Sequence, residues 1–408
     1  MNCRHCQTEL NTVFADLHFS PPSNSFLLEN QLNSTENYFP LKVYACPNCF
    51  LVQVDEYKNA KEIFDQEYVY FSSFSTSWLA HCKSYTEQMI ERFGFGESDQ
   101  VVEIASNDGY LLQYFKEQGL PVLGIEPTAN TAAVAQEKGI KTLVEYFGTD
   151  TAGAIAQREG KASLLLGNNV LAHVPDINDF VQGMKLMLAE NGVITMEFPH
   201  LLQLIEESQF DTIYHEHFSY LSFIAVEKIF ASVGITLFDV EEIPTHGGSL
   251  RIFGKHEDDV SHEVTNRVKN LVSKEKNAGL NSISTYKNFQ EKCDKIKLDF
   301  TEFLIQQKKS GKKVAGYGAA AKGNTLLNFC GIKKDLIDYV VDKSPHKQNK
   351  YLPGAHIPVV HEDHLKENKP DYVIIFPWNI KTEIMDQLQY IKDWGGQFVI
   401  AIPELTVE

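Results

Sequence analysis

From Gln100 onward the chain alternates short apolar runs with amphipathic ones. Val101-Val-Glu-Ile-Ala105 is a strand-like run carrying one acid, Ser106-Asn-Asp-Gly-Tyr110 is a turn, and Leu111-Leu-Gln-Tyr-Phe-Lys116 opens a helix. Val122-Leu-Gly-Ile-Glu126 follows and ends in a second acid before Pro127. Ser163-Leu-Leu-Leu-Gly167 and Gly192-Val-Ile-Thr-Met-Glu-Phe198 continue the pattern, and Leu237–Glu241 with Ser249–Phe253 close it. Such alternation predicts a doubly wound α/β fold, a parallel sheet that binds its ligand outside the carboxyl ends of the strands.

The turn after the first strand departs from a dinucleotide fingerprint. Ala105, Asn107 and Gly109 stand where three glycines would be expected, and Glu103 lies inside the strand. A pyrophosphate wants bare glycine backbone at a helix N-terminus, whereas a cofactor without phosphate tolerates Asn and Asp there. S-adenosylmethionine fits this turn, with Glu126 suited to its ribose hydroxyls. Glu103, Ala105, Asn107, Gly109, Glu126, Pro127, Asn168 and Asn169 are the candidate cofactor contacts. His173, just beyond Asn168-Asn169, falls on the same sheet edge.

The segment after the fifth strand concentrates chemistry. Tyr214, His215, Glu216 and His217 place four proton-handling side chains in consecutive positions. Such groups lose solvation on burial and persist where they hydrogen-bond, bind metal or move protons. His217 is the expected base, because imidazole titrates near neutrality. Tyr214 is its partner or rival, and Glu216 tunes a histidine. A polar loop, or a His-x-His metal site at His215 and His217, are the other readings.

Cys3-Arg-His-Cys6 and Cys46-Pro-Asn-Cys49 are two tight pairs whose four thiolates predict a structural zinc site, since four sulfurs leave no position open for water. His5 is a spare ligand candidate. The intervening Pro21-Pro22 and Asn33–Asn37 segments read as loops, so the metal is expected to replace a core this segment is too small to build. At 408 residues the chain calls for two or three domains. A net charge of −17 argues against nucleic-acid or anionic-membrane binding. No apolar run is long enough to span a bilayer, and a cytoplasmic location is expected.

The last third reads as a polar helical connector over 261–309 followed by a second αβ unit. Lys313-Val-Ala-Gly-Tyr-Gly-Ala-Ala-Ala-Lys322 follows a strand and opens a helix, and Asp342 ends the next strand. Gly316 and Gly318 with Asp342 would suit NAD, whereas Lys322 in the small-residue turn would suit a diphosphate.

Taken together, the Cys-x-x-Cys pairs, Glu103–Gly109, Gly124–Pro127, Asn168–His173, Ile213–Phe218, Thr245–Arg251 and Tyr317–Asn324 resemble the S-adenosylmethionine-dependent C-methyltransferases that act on nucleotide-linked ketosugars in deoxysugar biosynthesis. The resemblance implies a zinc-binding domain over 1–72, a class I methyltransferase domain over 73–255, and a helical connector with a Rossmann-like domain over 256–408 that does not use NAD. It implies methylation of a carbon alpha to the ketone of a nucleotide-linked 4-keto-deoxysugar, C-3 being the expected position, through a base-generated enolate. Tyr214, Glu216 and His217 would sit at the acceptor carbon, with His173 on the ketone oxygen. Tyr68, Tyr70, His215, Gly248, Arg251 and Lys322 are the candidate substrate contacts. A monomer or small homo-oligomer is expected. An NAD-linked oxidoreductase of nucleotide sugars and a zinc-dependent scaffold without catalysis are the rival readings.

Overall fold

The computed structural model describes residues 1–57 and 71–408. Tyr68 and Tyr70 lie outside the described residues.

Three sheets organise the molecule. The first contains β1 (Thr12–Ser20), β2 (Phe39–Ala45) and β3 (Val52–Val54), paired antiparallel in that order. The second is built from β4 (Val101–Ile104), β5 (Val122–Ile125), β6 (Thr142–Leu143), β7 (Ala162–Asn168) and β8 (Leu188–Pro199), all parallel. Next comes β9 (Ser219–Tyr220), which leaves the second sheet and pairs with β3. Then β10 (Ile235–Ile243) and β11 (Ser249–His256) return antiparallel, giving the order β10-β11-β8-β7-β4-β5-β6.

Residues 164–166 of β7 and 192–198 of β8 are apolar runs, apart from Thr195 and Glu197, and nearly all are fully buried, as strands covered on both faces require. Among the helices that flank this sheet, α1 (Thr76–Phe93) starts at Ser75, whose hydroxyl accepts from Trp78 N–H. It stops at Gly94, which takes the left-handed φ of 69° that a helix C-cap favours. On the other flank, α2 (Ile177–Met187) is capped by the Asp176 carboxylate and α3 (Phe223–Ala231) by Ser222. The connector forms α4 (Asn266–Asn277) and α5 (Phe289–Lys309).

The third sheet has β12 (Val314–Tyr317), β13 (Val340–Val341), β14 (Lys350–Tyr351), β15 (Pro358–Val360), β16 (Tyr372–Ile375), β17 (Gln397–Ile400) and β18 (Thr406–Val407) in the order β14-β15-β13-β12-β16-β17-β18. Its interior strands are parallel and its two edges antiparallel. Helix α6 (Ala321–Cys330) follows the glycine turn after β12. Here Gly316 and Gly323 face Phe376 and Gly318 faces Pro377, so closely that an added Cβ at any of them would collide. The Asp342 carboxylate accepts the backbone N–H groups of Ala319 and Ser344.

The N-terminal segment differs from its expectation. Two strands, not loops alone, join the cysteine pairs, and their apolar faces belong to a large core shared with the C-terminal third. Phe14 stacks on Phe289 of α5 with ring centroids 4.5 Å apart, and Leu17 and Leu41 join Phe300 and Leu326 in the same cluster. The segment is too small for its own core but buries its strands against another part of the chain, a contact that local composition does not encode.

Candidate active site

At the carboxyl edge of the second sheet the backbone is bent into left-handed turns. Ala105 (φ 56°), Asn107 (φ 48°) and Gly109 (φ 74°) shape the loop after β4, and Asn169 (φ 56°) shapes the one after β7. Left-handed non-glycine residues cost energy and collect at ligand sites. The Glu126 carboxylate holds the first loop, accepting from Asn107 N–H at 2.9 Å and from the backbone N–H of Thr128 at 2.9 Å. Pro127 follows it directly. At the end of β7, both amide atoms of Asn168 are buried without a hydrogen-bond partner among the described residues. Burial pushes the Glu103 carboxyl well above the usual carboxylate range.

Beside this edge stand His173, Tyr214 and His217, part-exposed where most of their surroundings are buried. His217 Nδ1 lies 2.9 Å from the Thr212 carbonyl oxygen, which can only accept, so the ring proton is on Nδ1. His217 Nε2 therefore accepts from the Tyr214 hydroxyl at 2.6 Å. The same reasoning fixes His173, whose Nδ1 donates to the Glu216 carbonyl at 2.9 Å. The two imidazoles meet edge to face with centroids 4.6 Å apart. Burial lowers both titrations, His173 to about 4 and His217 well below its ordinary value, so both rings are neutral at pH 7.

Not every predicted site side chain gathers here. The Glu216 carboxylate accepts from Asn24 Nδ2 with both oxygens at 2.9 Å, so Glu216 reaches His173 through its backbone oxygen. His215 turns toward the first sheet, with Nε2 3.2 Å from the Pro40 oxygen. Arg251 is buried within the second sheet, ion-paired with its cross-strand neighbours Glu197 and Glu241 at 2.6 and 3.0 Å. A guanidinium so engaged does not reach into the cleft, which corrects its expected substrate contact. Gly248 (φ 110°) packs against Gln203.

Other residues complete the cleft. His246, held at φ 55° in a turn, lies 3.0 Å from Asn169 Nδ2 and 5.4 Å from the Trp78 ring. From the third sheet comes Lys322, at the start of α6, with Nζ 2.7 Å from Asn379 Oδ1 and 4.3 Å from the centroid of Trp378. Trp378 Nε1 donates to Asp211 at 2.8 Å, and Thr325 of α6 donates to the Ile213 oxygen at 2.8 Å. These two bonds dock the third sheet onto the 210–217 loop. Asp211 lies just before the Tyr214–His217 run and His246 precedes a Gly-Gly pair, but Trp378 reaches Asp211 from 167 positions away, a convergence local sequence does not display.

Beside the first sheet the four predicted sulfurs converge. Cys3, Cys6, Cys46 and Cys49 have their Sγ atoms within 4.8 Å of one another, with Cys3–Cys49 and Cys6–Cys46 at 3.5 Å. Zinc–sulfur bonds of about 2.3 Å give tetrahedral edges of about 3.8 Å, so the shell fits zinc. His5 is turned away, with Nδ1 2.7 Å from Asn178 Oδ1.

The C-methyltransferase NovU of Streptomyces niveus is 33% identical to this chain over 405 residues, covering 99% of this chain and 96% of its own. The chain belongs to the C-methyltransferase family. Family models agree: a zinc binding domain matches residues 3–64, a methyltransferase domain residues 79–240, and a C-methyltransferase C-terminal domain residues 244–403. The ubiquinone biosynthesis O-methyltransferase of Rhodopseudomonas palustris (strain BisA53) is 29% identical over 99 residues, 24% of this chain and 38% of that protein. Among solved structures, an S-adenosylmethionine-dependent methyltransferase from Clostridium acetobutylicum ATCC 824 covers 44% of this chain and 92% of its own, with a TM-score of 0.36 at 10% identity.

By its family, the methyltransferase is an S-adenosylmethionine-dependent enzyme with a zinc-binding N-terminal segment. The second sheet suits that cofactor. Asn168 offers an unsatisfied donor and acceptor, and the buried Glu103 lies on the adjacent strand, to a cationic, zwitterionic ligand. Among the described residues no helix is long and apolar enough to cross a membrane.

Proposed function

We propose that this C-methyltransferase methylates the carbon alpha to the ketone of a nucleotide-linked 4-keto-deoxysugar, at C-3, by way of an enolate. The observation that carries the reading is the Tyr214–His217 pair, whose proton positions are fixed by the Thr212 carbonyl. A carbon beside a ketone becomes nucleophilic only after losing a proton, so the site needs a proton acceptor. The Tyr214 oxygen takes the substrate proton as its own hydrogen passes to His217 Nε2, leaving the charge of the imidazolium balanced by the enolate. His217 thereby acts as the base, with Tyr214 as relay. Glu103 and Asn168 hold the cofactor, with Glu126 and the loop it shapes on the ribose side. When bound, S-adenosylmethionine supplies an electrophilic methyl group on its sulfonium.

His173 takes a different part from the expected one. Its single ring hydrogen is given to the Glu216 carbonyl, so neutral His173 has no hydrogen to give to a ketone. We assign it to packing the His217 ring.

The test is a screen of dTDP-, GDP-, CDP- and UDP-linked 4-ketosugars with S-adenosylmethionine, read by mass spectrometry. Mass gain of one methylene on one of them, placed at C-3 by NMR, is the expected result. Absence of gain on all four, from protein that binds the cofactor, would sink the substrate assignment.

A further inference from the structure

We propose that Lys322, brought in by the C-terminal unit, is the catalytic residue that binds the acceptor's ketone oxygen and stabilises the negative charge that develops there. This rests on the enolate reading given above. It also replaces the diphosphate contact expected for Lys322 from the sequence.

A count of hydrogens leads to it. Breaking the carbon–hydrogen bond sends the electron pair into the new carbon–carbon double bond and the carbonyl pair onto oxygen, which then needs a donor. The hydrogen of His217 is on the Thr212 carbonyl, that of His173 on the Glu216 carbonyl, and that of Tyr214 on His217 Nε2. The proton-moving cluster therefore has no hydrogen left for the oxygen.

Lys322 supplies one. Of its three ammonium hydrogens, Asn379 Oδ1 takes one and the face of Trp378 attracts another, leaving a third to be aimed. Trp378, against whose face it lies, bonds Asp211 of the 210–217 loop and packs against Gly247 next to His246, so the amino group stands beside both turns, and its charge helps to hold His217 and His246 neutral. Its surroundings are preorganised. Trp378 is tied to Asp211 and α6 to Ile213, so the cation is held in place before the reaction begins. Burial brings the ammonium down to about 8, with the Asp211 carboxylate opposing that shift. A desolvated cation stabilises a developing oxyanion far better than one in water. One lysine facing one carboxylate also suits a single oxyanion better than a diphosphate. The titratable groups that feel its charge are Asp211, His217 and His246.

The test follows exchange of the substrate's alpha hydrogen with D2O by NMR, using the full-length enzyme, S-adenosylhomocysteine in place of S-adenosylmethionine, and the 4-ketosugar that the screen identifies. Lys322→Met is expected to slow exchange by about 10²–10³-fold, with the dissociation constant for the sugar nucleotide changed less than about threefold. Wild-type exchange is expected to fall as pH rises through about 8, where the ammonium loses its proton, and that limb is expected to be absent in Lys322→Arg. Wild-type exchange rates in Lys322→Met with weakened sugar-nucleotide binding would overturn the proposal in favour of a diphosphate contact. Loss of exchange in His246→Leu but not in Lys322→Met would overturn it in favour of the imidazole. If Lys322→Met fails to bind S-adenosylhomocysteine, the Arg variant decides, and a limb unchanged from wild type rejects the role. Wild-type enzyme that methylates none of the ketosugars and exchanges none of their hydrogens overturns the enolate reading itself, and this role with it.

Discussion

In the proposed reaction His217 and Tyr214 divide one task, and their division follows from a single carbonyl. Because Thr212 can only accept, His217 presents a lone pair to Tyr214, which suits it to act as the proton sink. His217→Asn is expected to lower turnover by about 10²–10⁴-fold while S-adenosylmethionine binding, followed by calorimetry, stays unchanged. Unaltered turnover would remove His217 from the chemistry. The buried imidazoles also set a pH dependence. His173 and His246 titrate at about 4 in the folded enzyme, below the ordinary 6.5 of an unfolded chain. The unfolded state therefore binds more protons across this window, and stability is lost as pH falls from about 6.5 through about 4. Denaturant titrations at stepped pH should show that loss lessened in His246→Gln. At this scale the grouping of Tyr214, His217 and His173 was legible in the sequence, and the three side chains do meet. The direction of Glu216 was not, since its carboxylate answers to Asn24, 192 positions away. Arg251 misled for a related reason: its partners Glu197 and Glu241 are cross-strand neighbours, visible only once the register of β8, β10 and β11 is known.

Turns and helix starts carry the site at the next scale up. The strands of the second sheet read clearly as apolar runs, and the polar residues closing them fell where a doubly wound sheet places ligands. What the turns pack against was not readable. Gly247 (φ 88°) approaches the Trp378 ring so closely that a Cβ would stand 2.5 Å from it. Gly247→Ala is therefore expected to cost about 1–3 kcal/mol from backbone strain and to push the His246 turn off the C-terminal unit. Thermal unfolding would register the first effect and a lowered kcat the second. Full activity and stability in this variant would mean that Trp378 does not clamp the turn.

Across the whole molecule, the three matched segments are less separate than their boundaries suggest. Strand β9 leaves the methyltransferase region to complete the first sheet, and the strands between the cysteine pairs share a core with α5 and α6. Arg4, inside the first Cys-x-x-Cys pair, donates to the Pro175 and Val54 oxygens and so links the zinc shell to α2. Metal analysis is expected to find one zinc per chain. Its removal by a strong chelator should lower the unfolding temperature by about 5 °C or more, with loss of activity following the unfolding of the N-terminal segment. A second equivalent at His215 and His217 is not expected, because His215 faces the Pro40 oxygen while both His217 nitrogens are engaged by Thr212 and Tyr214. In the proposed reaction Tyr214 and His217 remove a proton from a carbon beside a ketone before any methyl group moves. The most direct measurement is hydrogen exchange at that carbon in D2O, with a nucleotide-linked 4-ketosugar and S-adenosylhomocysteine, for wild type beside His217→Asn and Tyr214→Phe. Exchange by the wild type, slowed at least about 10²-fold in both variants, is the expected result; exchange at the wild-type rate in both would contradict it.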